Sequence, residues 1–308
     1  MPRVLLLFLD GVGVGDADAA TNPFAAASLP HLRRLLDGHL PVHDTPRQHD
    51  RASFIPLDAT LGVEGTPQSG TGQTSLLAGF NAAAAHGRHF GPWVPTSLRT
   101  RLATESVLAR AVAAGHDVAF ANAYPEEVLA AMVAPRPPAF LRAAPPLAAR
   151  AAGVLDRHAE ALRTGDAVAS EITNDGWIER LGRTELPRID AAAAGANLAR
   201  IAAAHDLTFF AHYATDSAGH RQELAAGVAA LERVDAFLGG IMAATRSQED
   251  EPLLLIVSDH GNLEDVRAGH TRNPALGIAV GRGHERCAER LRSLVDVAPL
   301  VLDLLAVR

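Results

Sequence analysis

The stretch VLLLFLD at 4–10 decides the fold. Six apolar residues run straight into an acid, which is strand length and too short for an ordinary buried helix. Apolar runs of this length recur at 117–121, 207–213 (LTFFAHY), 253–258 (LLLIVS) and 278–281 (IAVG). Between them, 105–115, 190–204, 222–245 and 296–306 have helical length and spacing. Near-continuous apolar strands alternating with helices imply a sheet covered on both faces. The expected fold is therefore α/β: a doubly wound, mostly parallel sheet with helices on both sides. One segment differs. From 125 to 187, beginning PEEVLAAMVAPRPPAFLRAAPPLAARAAG, proline and arginine accumulate and no apolar strand run occurs. Because proline ends helices and marks loops, this segment reads as a small inserted cap. The core is then 1–124 with 188–308.

Composition narrows the function. Of 308 residues, 48% are hydrophobic and 20% charged, which is ordinary for a globular chain. No apolar run is long enough to span a bilayer. The N-terminus lacks a small-residue cleavage site and is expected to be a strand rather than a signal peptide. All 28 basic residues are arginine and the net charge is −7, with no dense basic stripe, so a nucleic-acid surface is not expected. The single cysteine, Cys287, rules out an intrachain disulfide and a cysteine-based zinc site; it fits a reducing, cytoplasmic setting. The 14 histidines stand out, because histidine is the commonest metal ligand among side chains.

Three strand runs lead into an aspartate: Asp10 after VLLLFL, Asp216 after LTFFAHY and Asp259 after LLLIVS. In open α/β sheets ligands bind beyond the carboxyl ends of the strands, so these acids can converge. A single such aspartate is usually a cap or turn residue; three with histidines beside them are not so easily dismissed. Asp216 opens D-S-A-G-H, with His220 one helical turn on. Asp259 is followed by His260, Gly261 and Asn262, and His270 lies in G-H-T-R-N-P. Carboxylates with imidazoles suit Zn²⁺ or Mn²⁺. A nucleophile is offered by TPQSGTGQTSLLAG at 66–79, where glycine-flanked hydroxyls precede a helical start. A hydroxyl at a helix N-terminus faces a favourable site for an anion, although serine and threonine are also ordinary caps.

Together FLDGVG, PQSGTGQTSLLAG, DSAGH, SDHGN, GHTRNP and the terminal LVDVAPLVLDLL resemble the alkaline phosphatase superfamily, most closely its cofactor-independent phosphoglycerate mutase and phosphopentomutase branch. The resemblance implies two divalent ions, Mn or Zn. One would be held by Asp216, His220 and His270, the other by Asp10, Asp259, His260 and the oxygen of Ser69. It also implies that Ser69 is the nucleophile, with Thr71 the runner-up, and that a phosphoserine passes its phosphoryl group to water or back to a sugar hydroxyl. Gln73 departs from the pattern, since the mutases carry a histidine there. The large inserted domain of the phosphoglycerate mutases, with its D-G-G-V-H-S-H signature, is missing from this sequence. The favoured expectation is a phosphatase or phosphoesterase acting on a small phosphorylated substrate; a phosphosugar or phosphoglycerate mutase comes second. Gln73, Arg136, Arg142 and Arg150 are candidate substrate contacts. A nicotinamide enzyme would leave the Asp and His sets unexplained, C-A-E-R at Cys287 is not a sulfatase motif, and a non-catalytic metal scaffold would not need Ser69.

Overall fold

The computed structural model of the protein describes residues 3–132, 142–245 and 251–306. Its sheet has six strands: β1 (Val4–Leu9), β2 (Ala52–Phe54), β3 (Val118–Phe120), β4 (Leu207–His212), β5 (Leu253–Val257) and β6 (Gly277–Val280). Their spatial order is β2-β6-β5-β1-β4-β3. The run that opened the reading lies at the centre, parallel to β4 on one side and to β5 on the other, and β3 pairs parallel with β4. All six β1 residues are buried, as a strand covered on both faces requires. The other edge runs antiparallel: β6 against β5, and the three-residue β2 against β6.

Successive β1 residues feed two different cores, as the two-residue strand period dictates. Leu5, Leu7 and Leu9 join Phe210, Ile256, Leu198 and Phe237 on one face, beneath the helices Ala191–Ala204 and Leu224–Thr245. Val4, Leu6 and Phe8 join Phe209, Leu255, Leu76, Leu108 and Leu304 on the other, beneath Ser69–Ala78, Val107–Ala113 and Val297–Ala306. Asp190 caps the first of these helices, its carboxylate accepting from Ala193 N–H at 2.7 Å. Helices on both faces of a mixed sheet give the expected α/β architecture.

The segment 125–187 lies in the crossover from β3 to β4. Within it, the helix Ala144–Ala151 buries Ala144, Ala148 and Ala149 in the Val4–Phe8 core. Leu162, Ala167, Ala169, Trp177 and Leu186 form a small cluster of their own with Ala123. We propose on this basis that the cap proper is the satellite around Trp177, attached to the core through Ala144–Ala151.

Candidate active site

Strand register builds the site. Leu9 pairs with His212, and Phe8 pairs with Val257, so β1, β4 and β5 end side by side. Asp10 N–H donates to the His212 carbonyl at 2.9 Å, fixing the first acid at the sheet's rim. Asp259 follows β5 by two residues and accepts from Gly11 N–H at 3.2 Å. Asp216 stands in the first turn of Ala214–Arg221, where a carboxylate complements the helix dipole.

Ser69 is the first residue of Ser69–Ala78 and is 5% exposed. Its hydroxyl lies 2.9 Å from His260 Nε2. His260 Nε2 in turn lies 3.5 Å from Asp10 Oδ1 and 3.5 Å from Asp259 Oδ2. Both carboxylate oxygens are buried and, among the described residues, have no hydrogen-bond partner. Burial, then the charges of Asp259 and Asp216, pushes the Asp10 carboxyl well above its ordinary range. Burial likewise raises Asp259, against the nearby His260. Two buried carboxylates with orphaned oxygens are costly alone and suit a cation. The ligand atoms of Asp10, Asp259 and His260 all lie within 4.8 Å of one another. Gln73 donates its amide to Asp10 Oδ2 at 3.2 Å, so this departure from the mutase pattern touches an acid of the site directly. Thr71 is turned elsewhere. Its hydroxyl accepts from Phe90 N–H at 3.1 Å and faces the Gln68 carbonyl at 3.3 Å, which fastens a neighbouring loop.

A second group surrounds Asp216. His220 Nε2 is 3.2 Å from Asp216 Oδ2, one helical turn away as the sequence spacing requires. His270 Nε2 is 3.5 Å from Asp216 Oδ1 and 3.1 Å from His220 Nε2. Burial alone would raise Asp216, but hydrogen bonds from His270 and Asn262 and the charges of His260 and His220 bring it down to about 2. Burial opposes protonation of His270, yet its bond to and the charge of Asp216 raise its pKa. The His260 ring stacks on that of His270 at 4.0 Å, so the two groups adjoin. Asp216, His260 and His270 also lie within 4.8 Å of one another, which makes His260 a member of both.

Beside Ser69 opens a groove of about 460 Å³, walled by Glu64–Thr66 and Gln68 on one side and by Arg88–Gly91 on the other. The second wall is fixed to the Ser69–Ala78 helix through Thr71 N–H, which donates to the Phe90 carbonyl at 2.9 Å. The first meets His270, whose Nδ1 is 3.1 Å from the Pro67 carbonyl. Arg272 reaches over to the Gly65 carbonyl. Burial, with the charge of Arg272, holds the His89 imidazole below its ordinary value. Arg88, His89 and Arg272 escaped the sequence reading; only the position of Arg272, two residues after His270, hinted at it. Of the arginines that reading did propose, Arg142 lies over the Trp93 ring at 5.6 Å. Arg150 borders a separate hollow with Leu129, Gly153 and Leu155. Arg136 lies outside the described residues.

Residues 183–308 match the sequence pattern of the Metalloenzyme superfamily. A 2,3-bisphosphoglycerate-independent phosphoglycerate mutase of Moorella thermoacetica is 39% identical over 100 residues, 30% of this chain and 19% of its own length. One from Paracoccus denitrificans is 36% identical over 113 residues, 34% of this chain and 22% of its own. The matched stretch thus spans about a fifth of these relatives. Among solved structures, the PH0037 protein of Pyrococcus horikoshii superposes with a TM-score of 0.59 at 14% identity, covering 99% of this chain and 96% of that one. An alkaline phosphatase from the Antarctic bacterium TAB5 gives 0.52 at 12% identity, covering 99% and 98%. The carboxyl-terminal part of the chain, residues 183–308, thus carries the Metalloenzyme superfamily pattern, and the fold as a whole is that of the alkaline phosphatases. Over about a third of its length the chain's sequence resembles the phosphoglycerate mutases.

Proposed function

We propose that the protein is a metal-dependent phosphoryl-transfer enzyme that hydrolyses a small phosphomonoester through a phosphoserine at Ser69. The observation that carries this reading is the hydroxyl of Ser69 at a helix start, 2.9 Å from His260 Nε2, beside the orphaned oxygens of Asp10 and Asp259. Asp10, Asp259, His260 and Ser69 would hold one divalent ion, and Asp216, His220 and His270 the other. Bound there, such ions supply Lewis-acid stabilisation of charge on phosphoryl oxygens and lower the pKa of a coordinated hydroxyl. Mixed carboxylate and imidazole donors suit Mn²⁺ or Zn²⁺.

The chain's own groups set up the rest. Ser69 Oγ, having lost its proton, attacks phosphorus; the bond to the ester oxygen breaks, and that oxygen leaves as the alcohol once protonated. Water then attacks the phosphoserine, and the Ser69 oxygen departs and regains a proton. The N-terminus of the ten-residue helix beginning at Ser69 contributes partial positive charge where the phosphoryl group would sit. The groove along Gln68 and Arg88–Gly91 offers room for the organic part of the substrate, with Arg88 and Arg272 at hand for its polar groups.

A phosphomutase is the second reading, favoured by the phosphoglycerate mutases among the relatives. A mutase must keep water from its intermediate while the substrate turns. Among the described residues the groove is open to solvent, and that favours hydrolysis. Chelator-stripped protein is the test: turnover of an aryl phosphate should vanish and return with Mn²⁺ or Zn²⁺. Undiminished turnover after exhaustive chelation would end the metal-dependent reading. Release of free phosphate from sugar phosphates, against appearance of an isomer, separates hydrolase from mutase.

A further inference from the structure

Glu264 is not among the expected ligands, yet it is 1% exposed and sits among the segments that carry the expected aspartates and histidines. Its Oε2 accepts from Gly13 N–H at 2.9 Å and from Asn262 N–H at 2.8 Å. Its Oε1 accepts from the Thr271 hydroxyl, and from the Asn273 amide at 3.0 Å. Gly13 belongs to the loop leaving Asp10, Asn262 to the loop leaving Asp259 and His260, and Thr271 directly follows His270. The fourth segment is reached at one remove: the Asn262 amide donates to Asp216 Oδ1 at 2.7 Å. One carboxylate therefore ties together the segments that bear the aspartate and histidine ligands of both groups, the Ser69 helix standing outside this set. The packing around it leaves no slack. A Cβ on Gly13 would come within 2.3 Å of the Glu264 carboxyl carbon, and one on Gly261 within 2.3 Å of Oε1.

We propose that Glu264 is the positioning residue of the metal centre, setting the separation of the Asp10, Asp259–His260 and His270 loops and, through Asn262, the aim of Asp216. The proposal rests on the metal-dependent reading above. A buried carboxylate that only filled space would matter for stability alone. One that orients ligands sets metal affinity, and loss of such outer partners typically costs about 10–100-fold in affinity. Glutamine is the sharpest replacement, because it keeps the size and one accepting oxygen while removing the charge and two of the accepting sites.

The experiment compares wild type, Glu264→Gln and Asp235→Asn. Asp235 is another buried carboxylate, but it accepts from His31 and Leu32 N–H at 3.2 and 2.7 Å, where no expected ligand lies. Metal-free Tm, Mn²⁺ and Zn²⁺ affinity by titration calorimetry, and the visible spectrum of the Co²⁺-loaded protein are read for each. Glu264→Gln should lower affinity about 10–100-fold for both ions and shift the Co²⁺ bands, and Asp235→Asn should lower only the Tm. Wild-type affinity and spectrum in Glu264→Gln would overturn the proposal, whatever its Tm. If that variant does not fold, Thr271→Val removes a single donor; it should weaken affinity by a smaller factor, and unchanged affinity would equally overturn the proposal. A wild-type protein that binds no divalent ion would instead sink the metal-dependent reading, and this inference with it.

Discussion

Gly70 follows Ser69 and faces the loop that walls the groove. A Cβ built there would lie 2.1 Å from the Trp93 carbonyl oxygen and 2.7 Å from that of Phe90. Ordinary contact begins near 3.4 Å, so Gly70→Ala requires the helix start and the loop to separate by about 1.3 Å. Both obstacles are backbone, which cannot rotate away as a side chain can. The loop is also held by Thr71 N–H on the Phe90 carbonyl, so the displacement must pass to Ser69. Overpacking of this kind costs about 1–3 kcal/mol, and a misplacement of about 1 Å at a reacting group costs on the order of 10²-fold in rate. The variant should therefore melt several degrees lower by calorimetry, and its kcat on an aryl phosphate should fall about 100-fold at saturating metal. A Gly70→Ala protein with wild-type Tm and kcat would refute the claim that this junction places the nucleophile.

Three further outcomes are expected. The Asp10 carboxyl is raised in the folded, metal-free protein, so its contribution to stability is full below the ordinary carboxyl range and is lost as pH rises through the raised value. In chelator, Asp10→Asn should hence melt above wild type at pH 8, by about 2 °C or more, with the gap closing toward pH 4; a variant less stable than wild type at pH 8 would contradict this. Thr71→Ala should cost about 1–3 kcal/mol, from the unmet Phe90 N–H, and less than about 10-fold in kcat, whereas Ser69→Ala should cost at least about 10³-fold; equal losses would mean that Thr71 acts in the chemistry. Arg88→Ala should raise KM for a sugar phosphate several-fold while leaving kcat for an aryl phosphate unchanged, and an unchanged KM would remove Arg88 from the groove's function.

Much of this was legible in the sequence because parallel strands at a sheet's centre must be apolar throughout. VLLLFL, LTFFAH and LLLIV announce themselves, and the acids that follow them mark the rim where chemistry collects. Strand direction leaves no such mark. β6 was visible as IAVG, but its antiparallel pairing with β5 was not. β2 is three residues, Ala52–Phe54, cut short by Pro56, and offers no run to find. In the site, the D-x-x-x-H spacing of Asp216 and His220 is local, so it could be read directly. Glu264 could not, because GNLED looks like a solvated turn until Gly13 and Thr271, distant in the chain, are folded onto it. Arg88 and His89 are brought beside Ser69 by pairings such as Thr71–Phe90, between residues 19 apart in the chain, which no local spacing announces. Ala144–Ala151 looked like proline-broken cap, but Ala144 and Ala148, one turn apart, enter the core.

Trapping the covalent intermediate tests the account most directly. Metal-loaded protein is mixed with an excess of phosphomonoester, quenched in acid within one turnover, digested and mapped by mass spectrometry. The account expects one added phosphate on Ser69, absent from Ser69→Ala. Phosphate on Thr71 would shift the nucleophile by two residues, and a protein that turns substrate over fully in the Ser69→Ala form, with no phosphopeptide at any time point, would contradict covalent catalysis at this site.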